Sequence, residues 1–279
     1  MSTRSLFPLI LAALLTPFAA QATINVEEIR LDPGEDGFAS EFEVGGSVKT
    51  GNVEYFDASV GIGASYRTGA NVAFIIAERT YAAKRSGSDL ESGTIGLLLQ
   101  EDARYDNEGS AHVRYNREFN EKFAGELFAQ VEFDEFLRID LRQLAGVGGR
   151  FGLLQSDTTS IHAGLGYMLE DERYDPDEVV EEELEQLAHR ATSYFALVHA
   201  NEEETHEARF TAYFQPRLTD FSDYRFITDA ELELALTEKI AVEIGVTVRM
   251  DSDPPVVLEG ESEIRPLDTT TSTGFSITF

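Results

Sequence analysis

The chain of 279 residues contains no cysteine and no tryptophan. The absence of cysteine excludes disulfide bonds, thiolate nucleophiles and thiolate metal ligands. Tryptophan is common in the interfacial belts of membrane proteins, but the 19 phenylalanines and 10 tyrosines can take that place.

Positive charge is also scarce, since 22 Lys and Arg stand against 51 Asp and Glu, giving a formal net charge of -29. Such a charge repels nucleic-acid phosphates and anionic lipid head groups, so we expect no nucleic-acid partner. It favours cations and basic partners. The simpler interpretation is a solvated acidic surface.

Long hydrophobic runs are absent after the N-terminus. Arg4, the apolar run 6–20 and the Ala20-Gln21-Ala22 site indicate a signal peptide over residues 1–22. That run is shorter than the ~20 residues of a membrane-spanning helix. Residues 23–37 are polar and are predicted to be a periplasmic lead-in. A closed β-barrel is then the remaining way to cross a membrane.

The clearest organisation lies in residues 123–154. Every second residue is apolar over 127–133 and again over 137–141, with polar residues between them. This alternation predicts strands with one apolar and one polar face. A turn centred on Glu135 would place Glu132 opposite Arg138 and Gln130 opposite Asp140. The polar face needs water or partners, and the apolar face needs hydrocarbon.

Similar segments recur along the chain, with residues 94–104 open to interpretation as a strand or a hairpin arm. Connections at 50–52, 120–122 and 237–239 are short and are predicted to lie on one side of the barrel, and those at 84–93, 170–188 and 251–268 are long and are predicted to lie on the other. Asp175-Pro176-Asp177-Glu178 is typical of a helix start, predicting a helix over about 176–188. The sequence thus predicts an all-β fold: a transmembrane antiparallel up-and-down β-barrel of about twelve strands over 38–279, with a short helix in one extracellular loop.

A second hairpin is apolar at alternate positions over 230–236 and 240–248. A three-residue turn at 237–239 would pair Leu236 with Ile240, Glu233 with Glu243 and Arg225 with Asp251. Two facing carboxylates share a proton or a cation, unless each pairs with an arginine on its other side. The residues predicted to line the lumen are Glu126, Gln130, Glu132, Arg138, Asp140, Arg142, Glu233, Glu243 and Arg249.

Other candidate sites are weak. The acidic stretch 170–185 could bind cations, but it lacks the order of a calcium loop. The five histidines lack metal-ligand spacing, so we expect no metal site and no cofactor. Residues 146–151 resemble a nucleotide loop only superficially, because they sit in a strand pattern. Ser160 and His162 share a strand face, but there is no G-x-S-x-G motif, and no catalytic residue is assigned.

The stretch 111–154 resembles the domain-of-unknown-function family 481, labelled putative salt-induced outer-membrane proteins. The matching features are Arg114-Tyr115-Asn116, Glu126, Phe128, Gln130, Asp134-Glu135-Phe136, Leu141-Arg142, Gly146, Gly148, Arg150-Phe151, Pro216-Arg217-Leu218-Thr219-Asp220, Asp223-Tyr224-Arg225 and Phe279. The resemblance covers residues 38–279, and 84–106 fits it less well. It implies an outer-membrane β-barrel without an established activity, and a terminal Phe279 that the barrel-assembly machinery would recognise.

We therefore expect a non-enzymatic protein of a Gram-negative outer membrane, in contact with its lipid after cleavage near Ala22. The leading functions are a narrow, cation-preferring pore or a structural barrel linked to salt and envelope stress. The alternatives are a lipid-modifying enzyme of the outer membrane and a soluble periplasmic ligand-binding barrel.

Overall fold

The computed structural model describes residues 36–49, 53–86, 103–201, 205–237 and 240–277. These residues form one antiparallel sheet of twelve strands in chain order, each paired with the strands before and after it. The strands are β1 (Gly37–Lys49), β2 (Val53–Thr68), β3 (Asn71–Ser86), β4 (Arg104–Asn120), β5 (Phe123–Asp134), β6 (Ile139–Gln155), β7 (Thr159–Tyr174), β8 (Glu185–Ala200), β9 (His206–Arg217), β10 (Asp220–Thr237), β11 (Ile240–Asp251) and β12 (Leu267–Ile277).

The predicted up-and-down β topology of about twelve strands is confirmed. Within the described ranges, no strand pairing joins β1 to β12, and no helix is long and apolar enough to cross a membrane. The predicted signal peptide, most of the lead-in, residues 94–102 and Phe279 lie outside the described residues.

The sheet curls, because side chains from distant strands meet on its inner face. The hydroxyl of Tyr194 on β8 donates to Glu126 on β5 at 3.1 Å. Arg225 on β10 donates to Glu170 on β7 at 2.6 Å. These bonds cross an interior that intervening strands enclose, which is the arrangement of a β-barrel.

Burial is inverted relative to a water-soluble protein. Large apolar side chains point outward and are exposed, as with Phe42 at 67% and Leu165 at 64%. Charged side chains point inward and are buried, as with Glu170 at 1% and Arg190 at 2%. Both faces follow from the period-two alternation of a strand.

The outer face of β7 shows where the apolar surface ends. Its outward residues at 161, 163, 165, 167 and 169 are apolar or aromatic, and Asp171 and Arg173 follow them. At ~3.3 Å per residue, the apolar part is about 26 Å long along the strand. Asp171 and Arg173 form an exposed ion pair at 3.4 Å. The apolar surface therefore has a charged border.

Because neighbouring strands are antiparallel, successive connections lie alternately at the two ends of the sheet. The turn end, as we name it, carries residues 69–70, 121–122, 156–158, 201–205 and 238–239; the loop end carries 50–52, 87–103, 135–138, 175–184, 218–219 and 252–266. Placing 50–52 with the short turns at 120–122 and 237–239 was wrong, because strand parity puts it at the loop end. The length of a connection does not show at which end of the sheet it lies.

Two loop-end connections fold together. Val179 forms an isolated antiparallel bridge with Val257, and the amide of Leu258 donates to the carbonyl of Glu178 at 2.8 Å. The side chain of Val179 is buried against Ile139 and Tyr174. These extended contacts replace the predicted helix over 176–188. Only a 3-10 turn at Glu181–Glu183 is helical, and β8 begins at Glu185.

The hairpin of β5 and β6 has a different register from the predicted one. Glu132 faces Arg142 and Gln130 faces Leu144, so the predicted pairs with Arg138 and Asp140 are wrong. The turn occupies 135–138 because Oδ1 of Asp134 accepts the amides of Phe136 and Leu137 at 2.9 and 3.0 Å. Arg138 closes it with a left-handed backbone, φ 60°.

The hairpin of β10 and β11 has the predicted register over most of its length. Glu233 faces Glu243, and Arg225 faces Asp251. A bulge near the turn pairs Thr237 with Ile240, where Leu236 was expected. Bulges insert one residue without disturbing the faces farther along the strands.

Small residues make room for large side chains inside the barrel. A Cβ atom at Gly164 would lie 1.9 Å from a ring carbon of Tyr194, its cross-strand neighbour, and one at Gly146 would lie 2.2 Å from a ring carbon of Phe128. A Cβ at Gly152 would meet nothing closer than 3.6 Å.

We predict that Gly164→Ala destabilises the barrel by about 1–3 kcal/mol, because overpacking displaces Tyr194 from its site. Urea-induced unfolding in detergent micelles, followed by circular dichroism, measures this loss. Gly152→Ala is the control and should change stability little. Equal stability of the two variants would contradict the packing role of Gly164.

Candidate functional site: the charged interior

A connected set of ion pairs fills the interior toward the loop end. We name it the interior charge network; its members are Glu132, Arg142, Glu170, Glu172, Arg190, Asp223, Arg225 and Asp251. All occupy inward positions of strands β5 to β8, β10 and β11. Apart from the half-buried Asp251, all are at most 6% exposed.

Arg225 links the most strands. Its guanidinium donates to Glu170 at 2.6 Å, to Glu172 at 2.7 Å and to Asp251 at 3.0 Å. Glu170 and Glu172 belong to β7, which is separated from β10 by two strands. Arg225 therefore bridges the interior rather than one strand pair.

Two other arginines connect the network to further strands. Arg142 bonds to Glu132 and Glu172, which lie on the two strands that flank β6. Arg190 donates to Glu170 at 2.9 Å and to Asp223 at 2.7 Å. Each buried guanidinium thus meets at least two carboxylates, which offsets the cost of removing its charge from water.

A second cluster narrows the middle of the barrel. Arg114 lies 3.6 Å from Glu126, and its guanidinium sits over the rings of Phe128 and Tyr194. His112 stacks between Phe74 and Phe128. The enclosed space between these groups is only about 40 Å³. Side chains therefore occupy most of the space between β4 and β9 at this level.

The interior is wider toward both ends. A cavity of about 500 Å³ lies at the turn end, beside Glu118, Arg150 and His162. Another of about 420 Å³ lies at the loop end, beside Glu108, Asp134 and Arg249. Along β4 to β9, the described interior thus has two vestibules with a constriction between them.

A row of carboxylates crosses three strands near the turn end. Glu233 faces Glu243 on one side and Glu207 on the other. The expected arginine beyond Glu233 is therefore absent at that position. Arg209 instead bonds to Glu207 at 2.6 Å and to Glu231 at 3.1 Å, next to the row. Among the described residues of these three strands near the turn end, Glu207, Glu231, Glu233 and Glu243 outnumber Arg209.

The predicted lining residues fall into three groups. Glu126, Gln130, Glu132 and Arg142 are buried on the inner face, whereas Glu233, Glu243 and Arg249 are half-buried there. Arg138 and Asp140 are not on this face. Arg138 lies in the loop-end turn and pairs with Glu178 at 2.5 Å, and Asp140 is exposed at the bulge between Ile139 and Leu141.

Six members of the network are absent from the predicted lining residues: Glu170, Glu172, Arg190, Asp223, Arg225 and Asp251. The sequence predicted the pairing of Arg225 with Asp251 but not their place in the interior. The prediction of a loop over the acidic stretch 170–185 is wrong at its start, because its first five residues belong to β7. The inward positions of β7 continue unbroken from Gly164 and Gly166 to Glu170 and Glu172. That period-two pattern was the available signal.

Ser160 and His162 lie near the turn end of β7. Ser160 Oγ and His162 Nδ1 are 3.5 Å apart, which is longer than the ~2.6–3.2 Å of a nucleophile and its base. This geometry gives the lipid-modifying alternative no support.

A family model described as "Protein of unknown function, DUF481" matches residues 42–279. The chain belongs to this family. The resemblance seen in the sequence is confirmed, and the family description names no activity. No curated protein matches the chain.

Among solved structures, the chain is similar to the NanC porin at 8% identity and TM-score 0.44, covering 87% of this chain and 99% of that one. The KdgM porin has 10% identity and TM-score 0.41, with coverage of 87% and 99%. An anion-selective porin from Comamonas acidovorans has 8% identity and TM-score 0.37, with coverage of 87% and 100%. With TM-scores this low, no property of these channels is carried over to this chain.

We predict that Arg225→Met lowers the free energy of unfolding by about 3–5 kcal/mol, because it leaves buried carboxylates without their shared cation. Arg209→Met is the matched control, since the Arg209 side chain is 36% exposed. That change should cost less than ~1 kcal/mol. Urea titration in detergent compares them, and equal losses would refute the bridging role of Arg225.

Proposed function

We propose that the protein is an outer-membrane β-barrel and that its interior forms a narrow, cation-preferring passage. The observation that carries the proposal is the inverted burial, with apolar side chains outside and ion pairs inside. A soluble ligand-binding barrel would put its apolar face inward. Full transfer of each outward Val, Leu or Phe side chain from water to hydrocarbon is favourable by roughly 1.5–3 kcal/mol of free energy.

The dimensions of the outer surface support insertion into a bilayer. The apolar part of β7 is about 26 Å long along the strand, which is about 20 Å along the membrane normal at a strand tilt of ~40° and covers most of the ~25 Å apolar band of outer-membrane barrels. Near the turn end, Phe119, Phe123 and Phe151 form an outward row with ring centroids 5.5 and 5.1 Å apart. Aromatic rows of this kind mark membrane interfaces.

The charge of the interior supports cation preference. Among the described buried residues, eight carboxylates are set against four guanidiniums. The half-buried row Glu207, Glu233 and Glu243 adds further negative charge near the turn end. A passage lined in this way concentrates cations and repels anions.

The constriction supports a second candidate, a structural barrel without conduction. Bonds such as that of Tyr194 to Glu126 cross the interior where only about 40 Å³ of space remains. Single-channel recording in planar bilayers separates the two functions. Discrete steps with cation preference support the pore, and a folded, inserted protein that carries no current contradicts it.

We predict that Glu233→Gln lowers the cation-to-anion permeability ratio by roughly two- to fivefold, since a unit charge at 4 Å is worth on the order of 1 kcal/mol in water. The measurement is the reversal potential under a potassium chloride gradient. Glu259→Gln is the charge-matched control, because Glu259 is exposed in a loop at the other end. An unchanged ratio in Glu233→Gln would remove this residue from the selectivity mechanism.

A further inference from the structure

The loop-end cavity has the size and lining of a small-molecule site. Its volume of about 420 Å³ lies within the ~300–1,000 Å³ that is usual for ligand pockets. Much of its wall is apolar or aromatic, and this part includes Tyr105, Ile139, Tyr174, Ile227, Met250 and Pro254. Such a wall favours a ligand with an apolar body.

Three carboxylates form the wall on the side of β4 and β5. Glu108 and Asp134 are cross-strand partners, and their carboxyl groups are close enough to interact directly. Asp106 lies two residues from Glu108, on the same face of β4, and lines the same cavity. Oδ1 of Asp134 is already engaged by the turn amides of Phe136 and Leu137.

Positive charge in the cavity does not balance these carboxylates. Arg142 and Arg225 reach the wall, but both are bonded to carboxylates of the interior charge network. At the exposed rim, Arg265 and Asp268 offset each other in charge. Among the described lining residues, Arg249 is then the one guanidinium left to face the three carboxylates Asp106, Glu108 and Asp134. Arg79 does not line the cavity, but it also attracts Asp106 and Glu108.

Glu108 supplies an independent indication of a ligand. Its side chain is only 7% exposed, yet its Oε1 atom accepts no hydrogen bond from the residues that the structure describes. A buried carboxylate oxygen without a donor is costly, and such groups in folded proteins call for an explanation. A donor on a bound molecule would satisfy this atom.

We propose that the loop-end cavity binds a small organic cation, with its ammonium group against Glu108 and Asp134 and its apolar body against the opposite wall. A metal ion fits less well, because no group of three or more His, Asp or Glu side chains in the described ranges has metal-binding geometry. The site does not depend on conduction, since a structural barrel could bind the same ligand.

The test uses the full chain in detergent and isothermal titration calorimetry with three probes of similar size. These are phenethylammonium, neutral 2-phenylethanol and anionic 3-phenylpropanoate. We expect phenethylammonium to bind at least about tenfold more tightly than the alcohol, and the anion not to bind. Equal affinity for cation and alcohol, or binding of the anion, would overturn the proposal.

Variants then locate the site. Glu108→Gln should weaken phenethylammonium binding by at least about tenfold. Asp134→Asn retains the Oδ1 acceptor of the turn, so it provides a second test if Glu108→Gln fails to fold. Glu118→Gln is the control, because Glu118 lies on the inner face of the same strand but at the other end. A loss in Glu118→Gln equal to that in the folded cavity variant would place the binding elsewhere and refute the assignment.

Discussion

Arg225 shows the constraint on which the interior depends: a charge removed from bulk water must find opposite charges within reach. Its guanidinium meets Glu170, Glu172 and Asp251, which come from β7 and β11. These contacts are possible only if the sheet curls until β10 approaches β7 across the interior. The curvature of the sheet and the satisfaction of its charges are therefore coupled, and neither can be explained by a single hairpin.

The same constraint separates what the sequence could predict from what it could not. Period-two alternation identified the strands and the inward position of Glu126, Gln130, Glu132 and Arg142. It could not distinguish registers that differ by an even number of residues, because such shifts keep every side chain on its face. The β5–β6 hairpin is such a case. Turn chemistry at Asp134 determines its register, and it places Arg142 opposite Glu132.

The missed residues have a related physical origin. Glu170 and Glu172 lie in an acidic stretch that is typical of solvated loops, because composition gives no information about distant partners. Their partner Arg225 follows them by more than fifty residues and is reached only across the interior. Local sequence patterns do not indicate a contact between residues so far apart in the chain. The predicted helix over 176–188 failed for a similar reason, since Val179 gains burial by pairing with Val257.

The two ends of the barrel differ in how their charges are arranged, which separates the two proposed roles. At the turn end, Glu207, Glu233 and Glu243 are half-buried, so water can solvate them and a passing cation meets no strong trap. At the loop end, Glu108 and Asp134 are buried beside apolar walls. Electrostatic attraction is less screened there, and an apolar body gains contact area. Weak sites suit passage, because conduction requires release. The buried pair is instead suited to retaining a cation, so selectivity is expected at the turn end and ligand binding at the loop end.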